Sequence, residues 1–313
     1  EFFMVDIDEK DLHYWLEHVK IYANNGKVAD YIPALANQQP EINAAAYYPI
    51  GEKEVACAGQ ADYYFTIQSV SKVLTLALAL IQHGEQAVFS RVGKEPSSDP
   101  FYSIQKLEVE KPSKPLNPMI NAGALAVTNM IRGRGSEEMI EEILNLVRLL
   151  ADDHTIDFDE DVARSEFETA FLNRALSYFM KQNGIITGSV EELLDVYTKQ
   201  CAITVNVKQL ARIAAVFAND GRDPDTNHPL LPSHVARICK TFMVTCGMYD
   251  ASGTFAIEVG IPAKSGVSGC IMGVVKESGG LAAFGPALDS QGNSVVGLSL
   301  LKNLAHDKHW SIF

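Results

Sequence analysis

The sequence predicts an α+β fold in which one antiparallel sheet is assembled from the two ends of the chain, covered by terminal helices, with a helical stretch inserted between them. Strand-like runs with turn residues lie at 44–58 and again beyond Gly253, whereas helical periodicity dominates from Ser69 to about residue 250. No internal repeat or low-complexity linker divides the 313 residues. A single domain is therefore expected over 1–313, with a sheet part from 1–68 plus 251–313 and a mainly helical part from 69–250.

Asp8 is placed to cap a helix over 8–24, where Leu12, Trp15, Leu16, Val19 and Tyr22 share one face. The runs AAAYYPI and EVACA flank Gly51-Glu52-Lys53, which signals a hairpin. Helices are expected over 69–83 (ended by Gly84), 137–150, 166–181, 190–198 and 207–219 (ended by Gly221). Ser189 with Glu192 has the form of a capping box, and Asn206 with Gln209 resembles one. Beyond Gly253, CIMGVVK (270–276), LAAFG (281–285) and SVVGLSLL (294–301) read as strands, separated by Gly279-Gly280 and by Gln291-Gly292-Asn293.

A hydrophobic content of 47% is ample for a substantial core. The net charge of -13 and pI near 5.1 argue against nucleic acid or an anionic membrane as partner, since neither field would attract the chain. Five cysteines, an odd number without a CxxC pair, suggest neither a disulfide framework nor a zinc site. The start EFFMVDIDEK is acidic and lacks the basic-then-apolar order of a signal peptide. The longest apolar candidate, 73–82, falls short of the roughly 18 residues of a membrane span. Cytoplasmic residence is the resulting expectation. The eight histidines show no metal spacing, and His306 and His309 read as a solvated helix end, so neither metal nor other cofactor is expected.

A serine hydroxyl is a poor nucleophile until a base takes its proton, and a neutral lysine amine can serve. Ser69-Val-Ser-Lys72 supplies that pair. Residues three apart on a helix share a face, burial would lower the lysine pKa, and a helix N-terminus favours developing negative charge. An S-x-x-K arises about once by chance in a chain this long. It occurs twice here, but the second, Ser103 to Lys106, precedes the Pro-broken LEVEKP, whereas the first opens KVLTLALALIQ. Lys264-Ser265-Gly266 precedes Val267-Ser-Gly and an apolar strand, matching in position and type the K-T-G element of penicillin-recognising serine enzymes. In such a site the residue after the glycine, Val267, offers its backbone N–H to the oxyanion, together with that of Ser69. For Gly266 and Gly269 the structural alternative is a strand bulge. These elements alone leave β-lactam, peptide and other amide chemistry open.

Seven segments narrow the choice: KVADYIPALA (27–36), QSVSK (68–72), VGKEPS (92–97), NPMINAGA (117–124), LDVYTKQC (194–201), CGMYDASG (246–253) and AKSGVSG (263–269). In this order the chain resembles the bacterial and animal glutaminase family from about residue 12 to about residue 308. The resemblance implies a β-lactamase/transpeptidase-like fold and hydrolysis of L-glutamine to glutamate and ammonia. It further implies a catalytic set of Ser69 as nucleophile, Lys72 as its base, Tyr249 as a proton shuttle and Tyr31, and a homodimer or tetramer. Substrate contacts are implied for Tyr31, Gln68, Asn121, Glu166, Asn173, Tyr197, Tyr249 and the Val267 backbone, with Lys264, Ser265 and Gly266 in support. Glu166 suits the substrate ammonium, while the neutral donors Asn121, Asn173 and Tyr197 suit its carboxylate without placing a strong charge beside Lys72. Each has a structural alternative: Asn121 as a helix cap, Glu166 as a first-turn acid, Tyr197 as core. The rival functions are a penicillin-recognising hydrolase and a non-catalytic amino-acid sensor on the same fold.

Overall fold

The structure, a computed structural model, describes residues 7–51, 54–104, 107 and 114–313. Glu52 and Lys53 of the expected hairpin turn and Lys106 of the second S-x-x-K lie outside the described residues. The sheet has five antiparallel strands in the order β2-β1-β7-β6-β5, formed by β1 (Ala44–Pro49), β2 (Ala56–Gly59), β5 (Ala263–Gly266), β6 (Cys270–Val275) and β7 (Gly279–Phe284). Strand β1 is thus interior, next to the edge strand β2, pairing Ala45 with Ala58 on one side and with Ala283 of the central strand β7 on the other. Both faces of the sheet are covered, so its strands read as continuous apolar runs.

On one face, Ala45, Tyr47, Ile271 and Leu281 pack against α1 (Glu9–Val19) and the C-terminal helix α12 (Val295–Lys308) through Leu12, Leu16, Leu300 and Leu301. On the other, Ala44, Met272 and Ala282 meet α9 (Val207–Ala218) through Leu210, Ala211 and Ala214. A Cβ on Gly280 would lie 2.0 Å from the Ala211 carbonyl oxygen. Only glycine lets this helix approach so closely. Asp8 caps α1 in a reciprocal box with Asp11, and Asn206 does the same for α9 with Gln209.

The segment expected to be a strand at 294–301 is instead the start of α12. Its Val-rich composition resembles a buried strand, but the Ser294 hydroxyl accepts from the Gly297 N–H and starts a helix. The single helix expected over 166–181 is two, α6 (Glu160–Glu168) and α7 (Phe171–Gln182), broken at Thr169 and Ala170. Glu166 therefore lies in a last turn, not a first. A further helix, α10 (Ser233–Cys246), follows Pro232.

The helical elements that position the site are α2 (Ser71–His83), α4 (Asn121–Asn129) and α8 (Val190–Cys201). Helix α2 is buried around its whole circumference from Ser71 to Leu80, where apolar residues surround Ser71, Lys72 and Thr75. A helix of that kind belongs in the interior, where each enclosed leucine contributes about 2 kcal/mol by leaving water.

Candidate active site

The segment before α2 is anchored first. Strand β3 (Phe65–Thr66) pairs with β4 (Thr204–Val205), and the Ile67 N–H donates to the Ile203 carbonyl at 2.9 Å. Residues Gln68–Val70 then form a single 3-10 turn, so the expected helix starts at Ser71 and Ser69 sits in the turn leading into it. Gln68 has φ 47°, an uncommon conformation for a residue with a side chain. Its Nε2 donates to Thr66 Oγ1 at 2.9 Å and to Glu166 Oε1 at 2.7 Å, which fixes the turn from both sides.

Strand β5 lies alongside this turn. A Cβ on Gly266 would stand 2.6 Å from the Ile67 carbonyl oxygen and 2.9 Å from Cys270 Sγ, so the glycine permits the approach. Ser268 Oγ donates to the Thr66 carbonyl at 2.6 Å and closes the same junction. Replacing Gly266 with Ala is therefore expected to push β5 off the Ser69 turn, lowering turnover about 10- to 100-fold. An activity assay beside a thermal melt checks this; unchanged turnover would show that the contact is dispensable.

A cavity of about 900 Å³ opens at this junction. Its wall brings together Tyr31, Gln68, Ser69, Asn121, Glu166, Asn173, Tyr197 and Val267, eight of the residues singled out from sequence. Lys72, Tyr249, Lys264, Ser265 and Gly266 form the layer behind them. Tyr31 is 59% exposed at the rim, whereas Tyr197 and Tyr249 are buried.

Lys72 is fully enclosed, and its Nζ donates to Asn121 Oδ1 at 2.7 Å and to the Met119 carbonyl at 3.2 Å. These partners are neutral oxygens, so burial dominates and brings the Lys72 pKa down to about 8. Asn121 is the first residue of α4, not its cap, and its side chain faces the site. Its Nδ2 donates to Asn173 Oδ1 at 3.2 Å, and Oδ1 also accepts from the Tyr197 hydroxyl at 3.4 Å. Burial pushes the Glu166 carboxyl up to about 7, and the hydrogen bond from Gln68 opposes that rise.

Tyr249 also has a positive φ, 55°. Burial raises its pKa, a hydrogen bond with Ser69 opposes the rise, and its hydroxyl lies 3.4 Å from the Ser265 carbonyl. Lys264 Nζ donates to that same carbonyl at 2.7 Å and lies 4.5 Å from the Tyr249 ring centroid. Burial and the Lys72 charge hold the Lys264 pKa well below the usual lysine range. Among the described residues no group of three or more His, Cys, Asp or Glu side chains is placed to hold a metal ion.

The glutaminase family model matches residues 26–313. The chain belongs to the glutaminase family. A glutaminase of Bacillus cytotoxicus is 56% identical over 308 residues, covering 98% of this chain and 99% of that protein. Glutaminase 1 of Halalkalibacterium halodurans is 58% identical over 294 residues, covering 94% and 95%. Among solved glutaminase structures, a probable glutaminase of Bacillus subtilis superposes with TM-score 0.92 at 38% identity, covering 97% of both chains. A Bacillus subtilis glutaminase covalently joined to 5-oxo-L-norleucine, after reaction with 6-diazo-5-oxo-L-norleucine, superposes with TM-score 0.89 at 37% identity, covering 97% of this chain and 99% of that one. The glutaminase fold is β-lactamase-like, as the motif order implied.

Part of the glutaminase cavity was not foreseen from sequence. Phe101, Tyr102, Leu172, Cys201 and the loop 288–292 also line it. Gln291-Gly292-Asn293 read only as a turn between two strands, and the local pattern holds no sign that this turn folds back over the site.

Proposed function

We propose that the chain hydrolyses the side-chain amide of L-glutamine to L-glutamate and ammonia through a γ-glutamyl ester on Ser69. The carrying observation is a hydroxyl at the cavity wall, one turn ahead of an enclosed lysine whose amine is partly neutral near neutral pH. Ser69 attacks the amide carbon while Lys72 takes its proton; the C–N bond breaks and the nitrogen leaves as ammonia, protonated through Lys72 or Tyr249. Water then cleaves the ester. The Ser69 and Val267 N–H groups are assigned to the oxyanion. Glu166 takes the substrate ammonium, and Asn121, Asn173 and Tyr197 take its carboxylate, with Gln68 and Tyr31 completing the pocket.

The covalent adduct of the Bacillus subtilis relative supports this reading, because 5-oxo-L-norleucine carries its ketone where glutamine carries the amide carbon. Cytoplasmic residence and self-association belong to the same proposal, the latter by family analogy.

The test is ammonia release from glutamine and asparagine side by side, followed across pH. Lys72 must be neutral to act as base, and that form grows as pH rises through about 8. Glu166 must be ionised to hold the ammonium, and that form grows as pH rises through about 7. Both trends have the same sign, so kcat/KM for glutamine should climb from about pH 6 to about pH 9. A profile that is flat or falls over that range would contradict both assignments.

A further inference from the structure

The hydrogen bonds around Lys72 draw on three helices. Lys72 of α2 and Tyr197 of α8 both reach Oδ1 of Asn121, the first residue of α4. A second set lies behind this one on the same three helices. Thr128 Oγ1 of α4 donates to Gln200 Oε1 of α8 at 2.9 Å, and Gln200 Nε2 donates to Ser71 Oγ of α2 at 3.4 Å. Ser71 directly precedes Lys72, Gln200 stands one turn after Tyr197, and Thr128 stands two turns after Asn121. Thr128 with Asn121, and Gln200 with Tyr197, therefore share a helix face, so the rear set repeats the front one where the helices meet. The Cys201 thiol, next to Gln200, hydrogen-bonds with both Ser71 and Tyr197 and joins the two sets.

The proposed chemistry touches none of Ser71, Thr128 and Gln200. All three are fully enclosed, and none lines the cavity. Their surroundings are apolar, with Leu74, Val127 and Val196 supplied by the same three helices. In such a place a satisfied polar group adds little net stability over an apolar side chain of the same shape. What it adds is direction. The amide and the two hydroxyls are satisfied together at one relative placement of the helices, whereas apolar side chains can shift past one another at small cost.

We infer that Gln200 is a positioning residue: its amide locks α2, α4 and α8 in the arrangement that sets Lys72 against Asn121 beside Ser69. Gln200 acts through Lys72 and does not meet the substrate, a role that rests on the hydrolysis proposed above and deepens it. Proton transfer from Ser69 needs the Lys72 amine within hydrogen-bond reach, and a misplacement of about 1 Å can cost about 100-fold in rate. Substrate binding also draws on Glu166 of α6 and Asn173 of α7, outside these three helices. Loss of the rear set should therefore fall on kcat more than on KM.

The experiment compares the full chain with Thr128→Val and with an all-apolar variant that combines Ser71→Ala, Thr128→Val and Gln200→Leu, so that no polar atom of the rear set is left unpaired. Ammonia release is measured over a range of glutamine concentrations, with the folded fraction read from circular dichroism so that kcat counts folded molecules only. A merely structural role would move the folded fraction and leave that kcat alone. The all-apolar variant is expected to lose kcat about fivefold or more, with KM within about threefold. A smaller loss of kcat, or a larger rise in KM, overturns this inference alone. Should the all-apolar variant not fold, Thr128→Val, which has the same shape without the hydroxyl, decides by the same thresholds. No ammonia release by the unmodified chain overturns the hydrolysis reading instead.

Discussion

Replacing Ser69 with Ala is expected to lower ammonia release from glutamine roughly 100,000-fold or more, because no other group can form the ester and the supporting residues act only through it. The substitution removes one oxygen from a partly exposed residue in a 3-10 turn. The turn is held by Ile67, Gln68 and Ser268 rather than by the hydroxyl, so thermal stability should change little. Glutamine binding, followed by calorimetry, should persist in the variant. Turnover close to that of the unmodified chain would remove Ser69 from the mechanism altogether.

Lys72→Met is the second large effect. Methionine has nearly the same length and is apolar, so it fits an enclosed position and removes only the amine. Loss of a general base is expected to lower kcat about 100- to 10,000-fold. The variant also leaves Asn121 Oδ1 and the Met119 carbonyl without their donor, although Tyr197 still reaches Asn121. A structural defect alone would lower stability and leave the pH profile in place. Loss of the base removes the rise in residual kcat through about pH 8, so pH dependence separates the two explanations. A residual rate that still climbs there would assign the base to another group.

Most of the sheet was legible because its strands are buried on both faces and bounded by turn residues. Strand β6 was expected at 270–276 and is Cys270–Val275; β1 was expected at 44–50 and is Ala44–Pro49. The failures share a cause. SVVGLSLL is apolar and branched enough for a strand, and only the Ser294 cap and the packing of Leu300 and Leu301 on the sheet make it a helix. The break between α6 and α7 contains neither Gly nor Pro, so periodicity ran through it. At the site, the residue types and spacing of Ser69, Lys72 and Lys264 singled them out from sequence, and the structure places them together at the cavity and the layer behind it. Asn121, Glu166 and Tyr197 did not, because each has an ordinary structural use and only the tertiary arrangement turns it toward the cavity. The loop 288–292 was invisible for the same reason, since a turn sequence does not say what it covers.

Gln68 and Tyr249 flank the Ser69 hydroxyl, the proposed nucleophile, in backbone conformations that residues with side chains avoid, each disfavoured by about 1–2 kcal/mol. The rest of the fold must absorb that tension, because neither side chain can be traded for glycine without losing its contact to Glu166 or to Ser69. Heat tolerance and turnover thus pull against each other at these two positions. A lineage adapting to high temperature would have to gain its extra stability elsewhere, in the sheet or the outer helices, and leave the catalytic backbone as tense as it is.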